Sequence, residues 1–213
     1  MKKVVVFDCD STLSSIEGVD ELARLKGGEV YQAVEEMTTA AMEGKIPVEE
    51  VFGRRLSLIL PSREDVEAIG LQYVKTLVPG VREVVRELRQ KNWEVIILSG
   101  GFRPAIRPLA KALGVERVEA VDLFFGEGGE YSGYDEVYPT TRSGGKPEVV
   151  KRLREESGEG YWVMVGDGVS DLETRPEVNR FIGFGGVVKR EKVKAGADAF
   201  CEDFREIPGL LEG

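Results

Sequence analysis

Continuous apolar runs alternate with helical patterns along most of this chain. The runs VVVF at residues 4–7, VIIL at 95–98 and YWVMV at 161–165 are each followed by small polar or acidic residues. Such uninterrupted runs are typical of strands buried on both faces of a parallel sheet. Between them, stretches such as VREVVREL at residues 81–88 repeat apolar residues at helical spacing. Strands separated by helices predict an α/β fold with a Rossmann-like parallel sheet core and right-handed crossovers.

One segment departs from this alternation because it carries only helical patterns. It follows the first apolar run, and glycine and proline residues divide it into successive helices. Ser62 is suited to cap the last of them. The pattern predicts a small helical cap domain, residues 16–75, inserted after the first strand. Residues 1–15 and 76–213 then form the α/β core domain.

Composition and charge narrow the possible functions. The chain has 213 residues, 42% of them hydrophobic, and a net charge of -9, which argues against a nucleic-acid or anionic-membrane partner. No histidine occurs, so catalytic triads with histidine and His-ligated zinc sites are excluded. The N-terminal apolar run is too short for a signal or membrane helix, and the only cysteines are Cys9 and Cys201. These features predict a cytoplasmic protein without disulfides.

Polar side chains follow three of the apolar runs at the points where the predicted strands end. The first run ends in Asp8 and Asp10, the second in Ser99, and the third in Asp167 and Asp171. Ligands of open parallel sheets bind beyond the carboxyl ends of the strands, so we expect these side chains to converge. Clustered carboxylates repel one another unless a cation lies between them. The set predicts a site for Mg²⁺, which binds through carboxylates, water and phosphate oxygens.

Lys146 adds a positive charge to this predicted site. It lies in SGGK, a glycine-rich stretch ahead of a predicted helix. Acids, a metal, a lysine, a serine and glycine-rich backbone together are suited to binding a phosphoryl group. Because the chain has no histidine, a carboxylate is the natural nucleophile, and its product would be an aspartyl-phosphate that water hydrolyses.

Four motifs in order resemble those of the haloacid dehalogenase superfamily of phosphatases: DCDST, SGG, a lysine ahead of a helix, and GDGVSD. The stretches IEGVDELA, EMTTAAMEGKIP and GEYSGYDEVYPTTRSGGK extend the resemblance to members that act on O-phospho-L-serine. The resemblance covers nearly the whole chain. It implies an Mg²⁺-dependent phosphomonoesterase that forms serine and phosphate as the last step of serine biosynthesis.

The resemblance also implies roles for the acidic residues. Asp8 would be the nucleophile, and Asp10 the general acid that protonates the leaving oxygen and then the base that activates water. Mg²⁺ would be held by the Asp8 carboxylate, the Asp10 main-chain carbonyl and Asp167. Asp171 would support the metal and the lysine.

The substrate-binding residues come partly from the core and partly from the cap. Glu17 would receive the substrate ammonium group and Arg55 its carboxylate, although the neighbouring Arg54 could take that part instead. Met42 would form a wall over the substrate. The predicted set is Glu17, Met42, Arg55, Ser99, Gly100, Gly101, Lys146, Ser170 and Asp171.

Other functions fit parts of the same pattern. The phosphoenzyme could pass its phosphate to another alcohol, or the substrate could be a different phosphorylated metabolite. A third alternative is a regulatory switch, in which Asp8 is phosphorylated and a partner protein reads the result. The predicted partner remains a small phosphomonoester, bound by a monomer or a homodimer.

Overall fold

A six-stranded parallel sheet forms the centre of the protein, seen here in a computed structural model that describes residues 1–211. Residues 1–211 form eight strands: β1 (Lys2–Phe7), β2 (Trp93–Phe102), β3 (Arg117–Val121), β4 (Leu123–Phe125), β5 (Tyr131–Tyr134), β6 (Gly160–Gly166), β7 (Arg180–Phe184) and β8 (Ala199–Cys201). The sheet has the order β3-β2-β1-β6-β7-β8, and β4 pairs with β5 in a separate antiparallel ribbon. The predicted parallel α/β fold is therefore confirmed.

Helices connect the strands and cover both faces of the sheet. They are α1 (Gly18–Arg24), α2 (Gly28–Met42), α3 (Val48–Ile59), α4 (Arg63–Lys75), α5 (Val81–Gln90), α6 (Arg103–Leu113), α7 (Gly145–Ser157), α8 (Val169–Leu172), α9 (Glu191–Gly196) and α10 (Ile207–Leu210). Within residues 1–211, no helix is long and apolar enough to cross a membrane. The stretch FREIPGLLE at residues 204–212 predicts a last short helix, which the structure places at α10, and Glu212 lies outside the described residues.

The first strand is buried because it lies in the middle of the sheet. Successive side chains of β1 point to opposite faces, so Val5 and Phe7 join one apolar cluster while Val4 and Val6 join the other. Its neighbours are β2 on one side and β6 on the other. The three strands that end in polar residues are thus adjacent, as the sequence predicted.

Four helices, α1 to α4, lie between β1 and α5, and we call residues 18–75 the helical insert. Local sequence explains their ends. Leu60 adopts a left-handed conformation that stops α3, and Ser62 accepts a hydrogen bond from the Asp65 N–H to cap α4, as predicted. The division of the chain into two domains at residues 15/16 and 75/76 stays a prediction.

The segment after α6 forms two structures. β3 extends the main sheet, whereas the ribbon of β4 and β5 packs against the helical insert. Tyr134 of the ribbon lies 5.2 Å from Phe52 between ring centroids, and the Arg63 N–H donates to the Gly129 carbonyl at 2.8 Å. The ribbon therefore connects the core to the helical insert.

Candidate active site

Asp8 is the first residue after β1, and its carboxylate is held in one orientation. Oδ1 accepts a hydrogen bond from the Cys9 N–H at 2.8 Å and lies 2.9 Å from the Lys146 ammonium nitrogen. No donor within residues 1–211 contacts Oδ2. The side chain is almost fully buried but still borders the site cavity. Oδ2 is therefore open to a cation or to an electrophile.

Lys146 connects Asp8 to Asp171. Its ammonium nitrogen lies 2.6 Å from Asp171 Oδ1, and Asp171 Oδ2 accepts from the Gly168 N–H at 2.9 Å. Burial alone would lower the pKa of Lys146, but the charges of Asp171 and Asp8 outweigh it and raise that pKa. Asp171 also needs the glycine at position 166, because a Cβ there would lie 2.3 Å from its Cγ. The lysine therefore stays charged between two carboxylates.

Three buried carboxylates form a group that could hold a metal ion. One oxygen each from Asp8, Asp167 and Asp171 lies within 4.8 Å of the others. Burial and the nearby Asp171 charge raise the pKa of Asp8 well above its ordinary value and that of Asp167 to about 6. The three carboxylates outnumber the two cations that contact them, the Lys146 ammonium and the Arg190 guanidinium. Oxygen donors with excess negative charge fit a hard divalent cation, so the group is suited to a divalent metal site.

Asp10 points away from this group of carboxylates. Its Oδ1 accepts hydrogen bonds from the Gly18 N–H at 2.7 Å and the Tyr73 hydroxyl at 2.6 Å. Its Oδ2 accepts one from the Ser99 hydroxyl at 3.0 Å. The side chain borders the cavity but does not belong to the carboxylate group. The metal-binding role of the Asp10 main-chain carbonyl stays a prediction.

Arg55 of the helical insert is a buried cation, and Glu17, the residue just before the insert, is a partly buried acid. Arg55 is 8% exposed, whereas its neighbour Arg54 is exposed to solvent. The Arg55 Nη1 donates to the Thr38 hydroxyl at 3.1 Å, but its buried Nε has no hydrogen-bond partner. Glu17 accepts from the Ser11 hydroxyl at 2.5 Å, and burial followed by the Asp10 charge raises its pKa well above the ordinary value. Both groups are poised for a ligand that brings the opposite charge.

One cavity joins the strand ends to the helical insert. It contains about 850 Å³ of empty space, counting the part that opens to solvent. Ser99 and Asp171 lie behind its wall, fully buried, and act on it through Asp10 and Lys146. The other predicted site residues line it: Asp8, Asp10, Glu17, Met42, Arg55, Gly100, Gly101, Lys146, Asp167 and Ser170.

Several residues of the site were not predicted from the sequence. The Thr12 hydroxyl donates to Asp167 Oδ1 at 2.9 Å, and the Arg190 guanidinium contacts Asp167 Oδ2. The second Arg190 terminal nitrogen lies 3.2 Å from the Met42 sulfur. Thr12 lies inside the DCDST motif, which offered a signal, whereas Arg190 lies in a run of charged residues typical of a solvated surface. Tyr73 looked like an ordinary apolar position of its helix.

The buried carboxyls should make the metal-free protein less stable as the pH rises. The pKa of Asp167 is raised from 3.8 to about 6, so the unfolded chain loses this proton at a lower pH than the folded protein. The stabilisation is fully present below about pH 4 and is lost as the pH rises through about 6. In EDTA, the free energy of unfolding of the parent should fall between about pH 4.5 and about pH 7.5. For Asp167→Asn we expect this fall to be about 2 kcal/mol smaller.

Urea unfolding across this pH range measures the difference. Glu173→Gln is the matched control, because Glu173 is exposed and its side chain makes no hydrogen bond or ion pair within residues 1–211. The test compares the slope of the free energy of unfolding against pH and not its absolute value, because Asp167→Asn also weakens the contact with Arg190. Equal slopes for Asp167→Asn and the parent would contradict the expectation.

Comparisons with known proteins point to one family. The family model of the haloacid dehalogenase-like hydrolases matches residues 2–175. The chain is 45% identical over 210 residues to the phosphoserine phosphatase of Bos taurus, covering 98% of this chain and 92% of that protein. A solved substrate-bound phosphoserine phosphatase complex is similar with a TM-score of 0.84 and 30% identity, over 99% of this chain and 98% of the other. A phospho-aspartyl intermediate analogue of phosphoserine phosphatase gives a TM-score of 0.83 and 31% identity, over 98% of each chain.

Proposed function

Since this chain belongs to the haloacid dehalogenase-like hydrolase family, we propose that it hydrolyses O-phospho-L-serine to serine and inorganic phosphate. The observation that carries the proposal is the pairing of charges in the cavity. Asp8 and Lys146 of the core line it together with Glu17 and Arg55. A phosphorylated amino acid carries a phosphate, an ammonium group and a carboxylate. Each of these groups therefore meets a complementary partner.

Asp8 acts as the nucleophile in this proposal. One of its carboxylate oxygens attacks phosphorus, the bond from phosphorus to the serine oxygen breaks, and an aspartyl-phosphate forms. Lys146, 2.9 Å from the carboxylate, holds Asp8 in place and offsets charge on the phosphate oxygens. The Gly100 backbone, which lines the cavity, would bind the same phosphate oxygens. Ser99 is fully buried and would act through its hydrogen bond to Asp10, while the Gly101 N–H donates to the Ser99 hydroxyl at 2.8 Å.

Asp10 carries the proton in both halves of the reaction. It first protonates the serine oxygen as that oxygen leaves, and it then takes a proton from the water that attacks the phosphoenzyme. Its hydrogen bonds to Gly18, Tyr73 and Ser99 keep the carboxyl beside the reacting groups. The second step breaks the bond from Asp8 to phosphorus and restores the free carboxylate.

We propose that the divalent cation is Mg²⁺. The Asp8 and Asp167 carboxylates and the Asp10 main-chain carbonyl would hold it, with Asp171 in support. The cation would offset negative charge on the phosphate and the carboxylates while they meet. Asp171 already contacts Lys146 and the Gly168 N–H, so it is better placed to orient the lysine than to bind the metal directly.

The helical insert reads the amino-acid part of the substrate. The planar Arg55 guanidinium suits a carboxylate because it can bind both oxygens. Its buried Nε has no hydrogen-bond partner and can therefore donate to a ligand. Glu17 receives the ammonium group, and Met42 forms an apolar wall of the cavity. As a cap over the site, the insert would also exclude bulk water during phosphoryl transfer.

The proposal includes a cytoplasmic role in the last step of serine biosynthesis. Both cysteines are free and buried, as expected for a protein of a reducing compartment. Burial raises the pKa of Cys9 well above its ordinary value and that of Cys201 to about 12, so neither thiol is a ready nucleophile. A carboxylate nucleophile is consistent with both observations.

A panel of phosphorylated metabolites, assayed for phosphate release with Mg²⁺ and with EDTA, tests the proposed function. We expect repeated turnover with O-phospho-L-serine as the preferred substrate, and no turnover once EDTA removes the metal. Preference for a different metabolite would assign another substrate to the same chemistry. A single stoichiometric burst would favour the regulatory switch, and full activity in EDTA would exclude the metal-dependent mechanism.

A further inference from the structure

One oxygen of Asp10 accepts hydrogen bonds from residues at both ends of the helical insert. Gly18 is the first residue of α1, where the chain enters the insert, and Tyr73 lies two residues before the end of α4, where the chain leaves it. Each donates a hydrogen bond to Asp10 Oδ1, at 2.7 Å and 2.6 Å respectively. We infer that Tyr73 is a positioning residue that orients the Asp10 carboxyl for proton transfer.

Tyr73 acts through Asp10 and does not touch the substrate. Its side chain is 1% exposed and does not line the cavity that contains Asp8 and Asp10. A phenol is both a donor and an acceptor, but a carboxylate can only accept, so the hydroxyl hydrogen points at Asp10. A hydrogen bond to a charged acceptor in a buried setting is stronger than one between neutral groups. The contact therefore restrains the rotation of the carboxyl.

Gly18 makes room for this phenol. A Cβ at position 18 would lie 2.0 Å from the Tyr73 hydroxyl oxygen, so only glycine lets the ring approach Asp10 this closely. The close approach also lets the Gly18 N–H reach the same carboxylate oxygen. Gly18 and Tyr73 are 55 positions apart in the chain. Together they hold the Oδ1 atom of Asp10 in place.

This arrangement assigns different tasks to the two carboxyl oxygens. Oδ1 accepts two hydrogen bonds, from the Gly18 N–H and the Tyr73 hydroxyl, so both donors fix this oxygen away from the substrate. Oδ2 accepts only the Ser99 hydroxyl, at 3.0 Å, and that hydroxyl can rotate. If Asp10 is the general acid and base, a role that rests on the proposed function, Oδ2 carries the proton. Loss of the Tyr73 hydroxyl would let the carboxyl rotate and would spread the proton over both oxygens.

Tyr73→Phe tests this inference because it removes only the hydroxyl. We would compare kcat/KM for O-phospho-L-serine and for p-nitrophenyl phosphate with Mg²⁺ present. kcat/KM covers the steps up to the phosphoenzyme, in which the serine oxygen needs a proton but p-nitrophenolate leaves without one. General acids contribute about 10²- to 10⁴-fold, so we expect a loss of about tenfold to thirtyfold for phosphoserine and less than about threefold for p-nitrophenyl phosphate.

Two further variants complete the experiment. Tyr161→Phe is the matched control, since Tyr161 packs against Trp93 and its hydroxyl makes no hydrogen bond within residues 1–211. Gly18→Ala should reproduce the Tyr73→Phe pattern, because its methyl group would displace the phenol while the backbone N–H remains. If Tyr73→Phe does not fold, Gly18→Ala decides the question.

The outcomes separate this inference from the proposed function. A parent protein that does not hydrolyse phosphoserine would overturn the proposed function itself. If the parent does hydrolyse it, an equal loss on both substrates would show that Tyr73 only stabilises the fold, and no loss would show that it does not orient Asp10. The positioning role is supported by a larger loss of kcat/KM on phosphoserine than on p-nitrophenyl phosphate. The change in melting temperature of the variant must also be too small to explain that loss.

Discussion

Asp8→Asn is expected to reduce phosphoserine turnover by at least about 10⁴-fold, because an amide oxygen cannot serve as the nucleophile. The substitution keeps the shape of the side chain, and Lys146 keeps its contact with Asp171 at 2.6 Å. The loss should therefore come from chemistry rather than from a collapsed site. Phosphate release measures turnover, and mass spectrometry of acid-quenched protein detects the phosphoenzyme, which should form in the parent and be absent from the variant.

The stability of the same variant provides a second check. Burial and the charge of Asp171 raise the pKa of Asp8, so its ionised form is unfavourable in the folded, metal-free protein. We expect Asp8→Asn to melt in EDTA at a temperature no lower than the parent does at neutral pH. Glu173→Gln again serves as the control for a lost surface carboxylate. Substantial turnover by a well-folded Asp8→Asn protein would mean that a different group attacks phosphorus.

Arg55→Ala should reduce kcat/KM for phosphoserine by about 10²- to 10³-fold, with a change below about fivefold for p-nitrophenyl phosphate. The guanidinium is the buried cation of the helical insert that faces the cavity, and removing one partner of a desolvated charge pair costs about 2–5 kcal/mol. p-Nitrophenyl phosphate has no carboxylate for Arg55 to bind, so its hydrolysis should not depend on this contact. The ratio of the two losses therefore measures how strongly Arg55 recognises the amino-acid part of the substrate.

Arg54→Ala is the matched control for this experiment. It removes the same side chain from the adjacent position, where the guanidinium is exposed, and should change neither substrate by more than about twofold. The Arg55→Ala protein needs a melting curve as well. Asp20, which is bound to Thr38 at 2.6 Å, loses a neighbouring positive charge in that variant. Equal losses on the two substrates would show that the insert does not read a carboxylate.

Local patterns in the chain were sufficient for the fold and for most of the site. Apolar runs followed by acids identified β1 and β6, and the rule that ligands bind at strand ends placed Asp8 near Asp167. This worked because strand burial and strand order depend on short stretches of sequence and on simple connection rules. The start of α4 at Ser62 likewise follows from residues within one turn.

The sequence pattern was insufficient where it offered two neighbouring residues of the same type for one role. The sequence left Arg54 and Arg55 as alternatives, since adjacent residues on a helix differ only in the direction they face. The packing of α3 on the rest of the insert turns Arg55 inward and leaves Arg54 in solvent. The same reason explains Arg190, whose contact with Asp167 depends on how the loop after β7 folds over the site.

By itself, the sequence determined the parallel α/β core, the helical segment after the first strand, and the acids and lysine that meet at the strand ends. Only the tertiary structure decided which oxygen of Asp10 accepts from Ser99 and which accepts from Gly18 and Tyr73. Periodicity is a property of neighbouring residues, whereas these hydrogen bonds include one, from Tyr73, that joins groups 63 residues apart in the chain. Their geometry exists only after the helical insert has packed against the sheet.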